Sequence, residues 1–456
     1  MTGQGLSAIK RRNSMQAIEA FLTGRIWIKQ FIPFPQELIQ QAIDQGNAIV
    51  VNGISADGEC TRCHETSTEY VIPFPCATCG KVCSYCRRCI KMGRISSCTE
   101  LVLWQTPAAA NAGPRAFGWA GNLTPLQENA SKAISKSIRK REDHLLYAVC
   151  GAGKTEILFS PIHEALQKGL RICVAAPRTD VILELSPRFK QAFPDATIHT
   201  LYGESPEQSG YAEIILATTH QLYRFHEAFD LLFVDEADAF PYSLDPSLER
   251  AVKKAGKPSA PVIYISATPS KTLQNRISAQ STIFKRYHGA PLPVPAYRAL
   301  WNYERQIRKE KVPAALKYWI EDKLQKQQPF LLFFPSVQLI EQASPLLQKI
   351  DPTIAAVHSK DPQRKEKVMQ LREGALSGLA TSTILERGIT IPHLQVAVIG
   401  ADHRVFDRAA LIQIAGRVGR STKDPGGEVI FFHNGITRQM DAARHEILFY
   451  NKEGRA

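Results

Sequence analysis

Ala148-Val-Cys-Gly-Ala-Gly-Lys-Thr155 is the stretch from which the rest of the chain is read. An apolar run, Leu145–Val149, leads into it and a helical pattern follows. Gly151 and Gly153, with Ala152 between them, let the backbone curl so that its N–H groups point at phosphate. A phosphate bound there also lies at a helix N-terminus, where the dipole favours negative charge. Lys154 is expected to reach the β- and γ-phosphates of ATP, and Thr155 to ligate magnesium through its hydroxyl. The usual loop of this type begins with glycine; Ala148 stands in that place.

Outward from this loop the chain alternates short apolar runs with helical stretches, the pattern of a parallel sheet covered by helices. The strand candidates of the first series are Leu145–Val149, Ile172–Ala176, Ile214–Thr218, Leu231–Asp235 and Val262–Ser266. Gly289-Ala-Pro-Leu-Pro-Val-Pro295 interrupts regular structure. A second series follows: Phe330–Phe334, Ile354–His358, Leu379–Ser382, Val396–Gly400 and Val429–Phe432. The expected class is α/β, two parallel-sheet domains at 123–288 and 289–456. Upstream lie a helical region at 1–55, a cysteine-rich zinc-binding module at 56–104 and a linker at 105–122.

Two further segments carry chemistry. Phe229-Asp-Leu-Leu-Phe-Val-Asp-Glu-Ala-Asp238 is an apolar strand ending in carboxylates. Asp235 is placed to hold magnesium, and Glu236 to act as the general base that orients the attacking water. Gln413-Ile-Ala-Gly-Arg-Val-Gly-Arg420 supplies Gln413, Arg417 and Arg420. The always-ionised arginine fork suits it to stabilising a transferring phosphoryl group.

Of ten cysteines, eight lie between Cys60 and Cys98. They read as Cys60-x-x-Cys63, Cys76-x-x-Cys79 and Cys83-x-x-Cys86, then Cys89 and Cys98. Two thiolates on one tight turn can grip one tetrahedral ion, so the expectation is zinc. Disulfides need an oxidising compartment, and Met1–Met15 has neither the apolar core nor the cleavage site of a signal peptide. One or two ions, paired sequentially or nested, are compatible with the spacing, with His64 a competing ligand. Cys150 and Cys173 read as small buried residues.

Lys and Arg total 56 and Asp and Glu 43, a formal charge of +13 that suits a polyanionic partner. Between Lys81 and Arg141 lie eleven of the basic residues and two acidic ones. Eight thiolates on two zinc ions would remove four positive charges from the total. No apolar run approaches the ~20 residues of a membrane span. The chain is therefore expected to be soluble and cytoplasmic.

In order along residues 120–435, these segments resemble the motifs of superfamily-two helicases, which implies two RecA-like domains. Leu123-Thr-Pro-Leu-Gln127 resembles the adenine-reading segment, with Gln127 on the base. Pro177-Arg178 and Thr218-Thr-His-Gln221 resemble strand-gripping motifs, and Ser266-Ala-Thr268 the motif that couples hydrolysis to domain movement. Ala380-Thr-Ser-Thr-Ile-Leu-Glu-Arg-Gly388 resembles a motif touching both nucleic acid and nucleotide, with Gly388 on the nucleotide. Asp235-Glu-Ala-Asp238 invites a DEAD-box RNA helicase reading, but Gln413-Ile-Ala replaces the His-Arg start of that group's last motif.

With Cys83-Ser-Tyr-Cys-Arg-Arg-Cys-Ile-Lys-Met-Gly-Arg94 upstream, the whole chain is similar to the ComFA-type late-competence DNA-uptake helicases. That resemblance implies a single-stranded-DNA-dependent ATPase at the inner face of the cell membrane. It also implies a ComFC-type phosphoribosyltransferase-like partner and a DprA-type DNA-processing partner. The alternatives are a replication-restart helicase, which would carry its cysteines between motor motifs, and a zinc-dependent nucleic-acid-binding protein with a scaffolding ATPase core.

Overall fold

The computed structural model describes residues 14–105, 112–203, 205–206, 208, 210–358, 361–385, 391–420 and 424–455. The described residues up to Leu146 form one unit with Thr155–Ser266 and Ser270–Ser281. The second unit holds Tyr147–Lys154, Ala267–Pro269 and the described residues from Thr282 onward.

The N-terminal strands are β1 (Ile26–Ile28), β2 (Ala48–Asn52), β3 (Val71–Pro75), β4 (Val82–Cys86), β5 (Ile95–Ser96) and β6 (Glu100–Trp104). β6, from the far side of the cysteines, lies between β1 and β2 and pairs antiparallel with both. Helices Met15–Leu22 and Gln36–Asp44 cover this sheet, burying Ile18, Phe21, Leu22, Ile39 and Ala42 against Val102 and Trp104. Of the eight clustered cysteines, Cys60 and Cys63 lie on a turn before β3, and the other six on the antiparallel sheet β3–β4–β5 or in the segments that flank its strands.

Then come β7 (His144–Ala148), β8 (Ile172–Ala176), β9 (Ile198–Leu201), β10 (Ile214–Thr218), β11 (Leu231–Val234), β12 (Val262–Ser266) and β13 (Ala279–Ile283). They form one sheet in the order β13-β7-β12-β11-β8-β10-β9. β8, β10, β11 and β12 are buried at every residue, as strands covered on both faces must be, and their ladders are parallel. Helix Pro125–Lys140 starts from a capping box: Thr124 and Gln127 satisfy each other's backbone N–H groups, with Pro125 at the first helical position.

The third group is β14 (Ala296–Ala299), β15 (Phe330–Phe333), β16 (Ile354–Val357), β17 (Gly378–Thr381), β18 (Gln395–Ile399) and β19 (Val429–His433). They pair in parallel in the order β14-β19-β18-β15-β17-β16. Ser336 and Asp407 cap the helices that leave β15 and the β18 loop. Asn451 exchanges two hydrogen bonds with the backbone of Leu292 in the proline-rich stretch, at 2.7 and 2.8 Å.

Two parallel sheets and a cysteine module are what the sequence pattern implied. The strands that pattern misses are β9, β13, β14 and the N-terminal six. Most are short or edge strands whose pairing partners are remote in sequence, and only tertiary contact defines them.

Candidate nucleotide and metal sites

Ala148–Thr155 is a strand–loop–helix. β7 runs into the loop, Gly151 and Gly153 take φ of +84° and +74°, and helix Lys154–Gln167 begins at the lysine. Those angles lie where a Cβ is strained, which is why glycine occupies both positions. Ala152 N donates to Val149 O at 3.1 Å and tightens the curl.

Asp235 follows the end of β11, with its N donating to Ala175 O on β8 at 2.8 Å. Glu236 has φ +54° and its N donates to Asp235 Oδ1 at 2.9 Å. Ala237 N then returns to the ladder at Ile265 O, 3.0 Å. The carboxylates at the strand end are thus held by a backbone kink pinned on both sides. Ser266 Oγ donates to Asp238 Oδ1 at 2.6 Å, joining the last carboxylate to the Ser266-Ala-Thr268 segment.

Within the second unit, the arginine segment forms helix Arg408–Ala415 and the turn after it. Gln413 is buried and its Oε1 lies 2.9 Å from Cys150 Sγ. A Cβ added to Gly416 would sit 2.5 Å from Cys150 Cβ, so only glycine allows that approach. Arg417 is 1% exposed, and Arg420 Nε donates to Gly416 O at 3.0 Å. Gln127 is buried in its capping box. Gly388 lies outside the described residues. Cys150 is buried, as expected of a small apolar residue, and also contacts Gln413; Arg286, which lies in no motif, is a buried cation whose partners are carbonyls of the arginine turn.

The eight clustered cysteines form two quartets: Cys60, Cys63, Cys86 and Cys89, and Cys76, Cys79, Cys83 and Cys98. Four thiolates about 2.3 Å from one tetrahedral ion lie roughly 3.8 Å apart. The nearest sulfurs are 3.8 Å (Cys60–Cys89) and 3.5 Å (Cys63–Cys86) apart in the first quartet. In the second they are 3.6 Å (Cys76–Cys98) and 3.3 Å (Cys79–Cys83) apart. Both quartets therefore fit zinc. The pairing is interleaved, and the expected Cys83-x-x-Cys86 grip on one ion does not form. Both residues lie on β4, where positions three apart point to opposite faces, so they serve different quartets. The working pair is Cys86-x-x-Cys89. His64 belongs to neither quartet and pairs with Glu59.

The first quartet is entirely buried, whereas Cys79 and Cys98 leave the second exposed at two corners. Buried Arg62 places Nε 3.4 Å from Cys89 Sγ and donates Nη2 to Cys89 O at 2.9 Å. Such outer hydrogen bonds orient a thiolate and stabilise its charge.

The same module is fastened to helix Pro246–Ala255 in its own unit. Glu65 Oε2 accepts from Arg250 Nη2 at 2.6 Å and Arg88 Nε at 3.3 Å, and Arg88 Nη1 reaches Asp245 Oδ1 at 3.2 Å. Lys254 Nζ donates to Arg62 O and, at 3.1 Å, to Tyr223 O in the 3-10 segment Thr219–Arg224. Glu65 is 6% exposed, so Glu65→Gln leaves Arg250 without this counter-charge and Arg88 with Asp245 alone. The expected loss is about 2 kcal/mol, or a fall of roughly 5 °C in the first thermal unfolding transition. An unchanged midpoint in calorimetry would show that this joint contributes nothing.

Two parallel sheets, a glycine loop after β7 and carboxylates after β11 go with helicase domains by family match, which make the chain an ATP-hydrolysing helicase, a class that works with a metal ion and binds nucleic acid. Residues 120–271 match the family described as the res subunit of type III restriction enzymes, and 310–422 the helicase conserved C-terminal domain. The DEAD-box helicase Mss116 bound to ssRNA and UDP-BeF shares the fold, with a TM-score of 0.55 at 17% identity over 71% of this chain and 77% of that one.

Residues 10–103 match the N-terminal domain of competence protein ComFA. The chain is 40% identical to competence protein ComFA of Bacillus subtilis (strain 168) over 444 residues, 96% of each protein. It is 37% identical over 401 residues to that of Streptococcus pneumoniae (strain ATCC BAA-255 / R6), covering 86% of this chain and 90% of the other. The chain belongs to the ComFA family and is an ATP-dependent helicase of competence DNA uptake. Among the described residues no helix is long and apolar enough to cross a membrane.

Proposed function

We propose that this helicase is a single-stranded-DNA-dependent translocase that draws transforming DNA inward from the cytoplasmic face of the membrane. Lys154 binds the β- and γ-phosphates of ATP, the N–H groups of Gly151–Gly153 cradle them, and Gln127 reads the adenine. Thr155 and Asp235 hold magnesium, which neutralises phosphate charge. Glu236 orients water and accepts its proton; Arg417 and Arg420 stabilise the transferring phosphoryl group, with Gln413 beside them. Gly388 belongs to this set by its motif alone. DNA is held through its phosphates by segments including Arg178 and the 3-10 turn at Thr219–Gln221, contacts that carry no sequence information. A difference in grip between nucleotide states then yields a step. Each cysteine quartet holds one zinc ion. The family resemblance supports a ComFC-type and a DprA-type protein as partners and a peripheral place at the uptake machinery.

The observation that supports this reading best is the pinned kink at Asp235–Glu236. It sets a carboxylate pair at a strand end in a chain that also has the phosphate loop. Lys154→Ala is expected to reduce ATP turnover by about a hundredfold or more while single-stranded DNA still binds. Phosphate release should be measured with single-stranded DNA, duplex DNA and RNA in parallel. Turnover retained in the variant, or stronger stimulation by RNA, contradicts the assignment.

A further inference from the structure

Arg286 follows β13 and is 2% exposed. Its Nη1 donates to Gly419 O at 2.7 Å and its Nη2 to Val418 O at 2.9 Å, with Gly416 O at 3.5 Å. The next two residues join in. Tyr287 N donates to Gly151 O at 3.0 Å, and His288 Nε2 lies 3.1 Å from Gly419 O. A Cβ on Gly151 would meet the Arg286 side chain at 3.4 Å. Arg286-Tyr-His288 thus touches the phosphate loop on one side and the turn carrying Arg417 on the other, all within the second unit.

The electrostatics are unusual. Buried arginines normally face a carboxylate, because desolvating a guanidinium costs several kcal/mol. Arg286 has carbonyls as its hydrogen-bond partners, and no carboxylate pairs with it among the described residues. Its Nε is buried without a partner. Burial pulls the guanidinium down to about 10, with nearby Cys150 favouring and Arg420 opposing its charge; that value lies well above neutral pH, so Arg286 stays charged. A polyanion beside Gly151 would supply the missing counter-charge.

We propose that Arg286 is a positioning residue of the nucleotide site, clamping the Gly416–Gly419 turn so that Arg417 and Arg420 are aimed, with the nucleotide polyphosphate balancing its charge. This rests on Ala148–Thr155 being the phosphate loop. The two duties separate chemically: the clamp needs the planar fork, while charge balance needs only a cation.

Arg286→Gln and Arg286→Lys in the full chain test this. DNA-stimulated ATP turnover, equilibrium binding of a fluorescent ATP analogue, and thermal unfolding with and without ATP should be measured. Arg286→Gln is expected to lower kcat about tenfold or more and to lose most of the ATP-dependent rise in unfolding midpoint. Arg286→Lys should recover nucleotide affinity to within roughly threefold of wild type but not kcat. If both variants turn over at the wild-type rate per folded molecule and keep the full ATP-dependent shift, Arg286 only caps a turn and the inference is wrong. If Lys154→Ala hydrolyses ATP as wild type does, the phosphate-loop reading fails and this inference fails with it.

Discussion

Glu236→Gln is expected to lower DNA-stimulated ATP turnover by about 10²–10⁴-fold while ATP and single-stranded DNA still bind. The geometry around this residue makes the substitution informative. Asp235 N and Ala237 N are each tied to a neighbouring strand, at Ala175 O and Ile265 O. Glu236 is therefore held with φ +54°, a conformation that costs a non-glycine residue of order 1 kcal/mol. Glutamine has the same shape and the same backbone preference, so the kink and the Asp235 cap on the Glu236 N–H should survive. What glutamine cannot do is take a proton from water. Phosphate release under saturating DNA, set beside equilibrium binding of both ligands, reads the two effects separately. Near-normal turnover in the variant would remove Glu236 from the general-base role.

Cys63→Ala is expected to have the largest effect on stability. It should reduce bound zinc from two ions per chain to one and unfold the cysteine module. Structural zinc contributes apparent binding energies of about 10–16 kcal/mol in isolated fingers, far more than a cavity or a surface ion pair. The first quartet is fully buried and held by Arg62, whose carbonyl accepts from Lys254 on helix Pro246–Ala255. Losing that ion should also loosen the Thr219–Arg224 segment, to which Lys254 is bonded. Stimulation by DNA is then expected to fall more than turnover without DNA. Cys98→Ala, at one of the two exposed corners of the second quartet, should also release one ion but leave DNA stimulation closer to wild type. Elemental analysis of reductively purified protein reads the ion count, and two ions retained in Cys63→Ala would refute the quartet assignment.

Much of the motor was legible because its signals are local. Apolar runs such as Ile214–Thr218 are strands buried on both faces. The positions of Gly151 and Gly153 report φ angles that only glycine takes cheaply. The cysteines were legible as a cluster with metal-site spacing but not as sets. A Cys-x-x-Cys spacing on a turn converges and the same spacing on a strand diverges, so the partners of Cys83 and Cys86 depend on β4 being a strand. Glu65 and Arg88 belong to no local pattern that marks them. Their importance comes from Asp245 and Arg250, more than 150 residues away. Arg286 gave no signal either, since its partners are backbone carbonyls, which every residue has.

The sequence by itself determined the class of the protein: the central strands of the two parallel sheets, the glycine loop after β7, the carboxylates after β11 and the clustering of eight cysteines. Each follows from short-range steric and hydrogen-bonding demands written in neighbouring residues. Only the tertiary structure decided which four sulfurs converge, that β6 returns to close a sheet with β1 and β2, that the cysteine module is fastened to helix Pro246–Ala255, and that Arg286 holds the arginine turn. Those are contacts between residues remote along the chain. Their energy comes from burial and charge compensation in three dimensions, which no local spacing encodes.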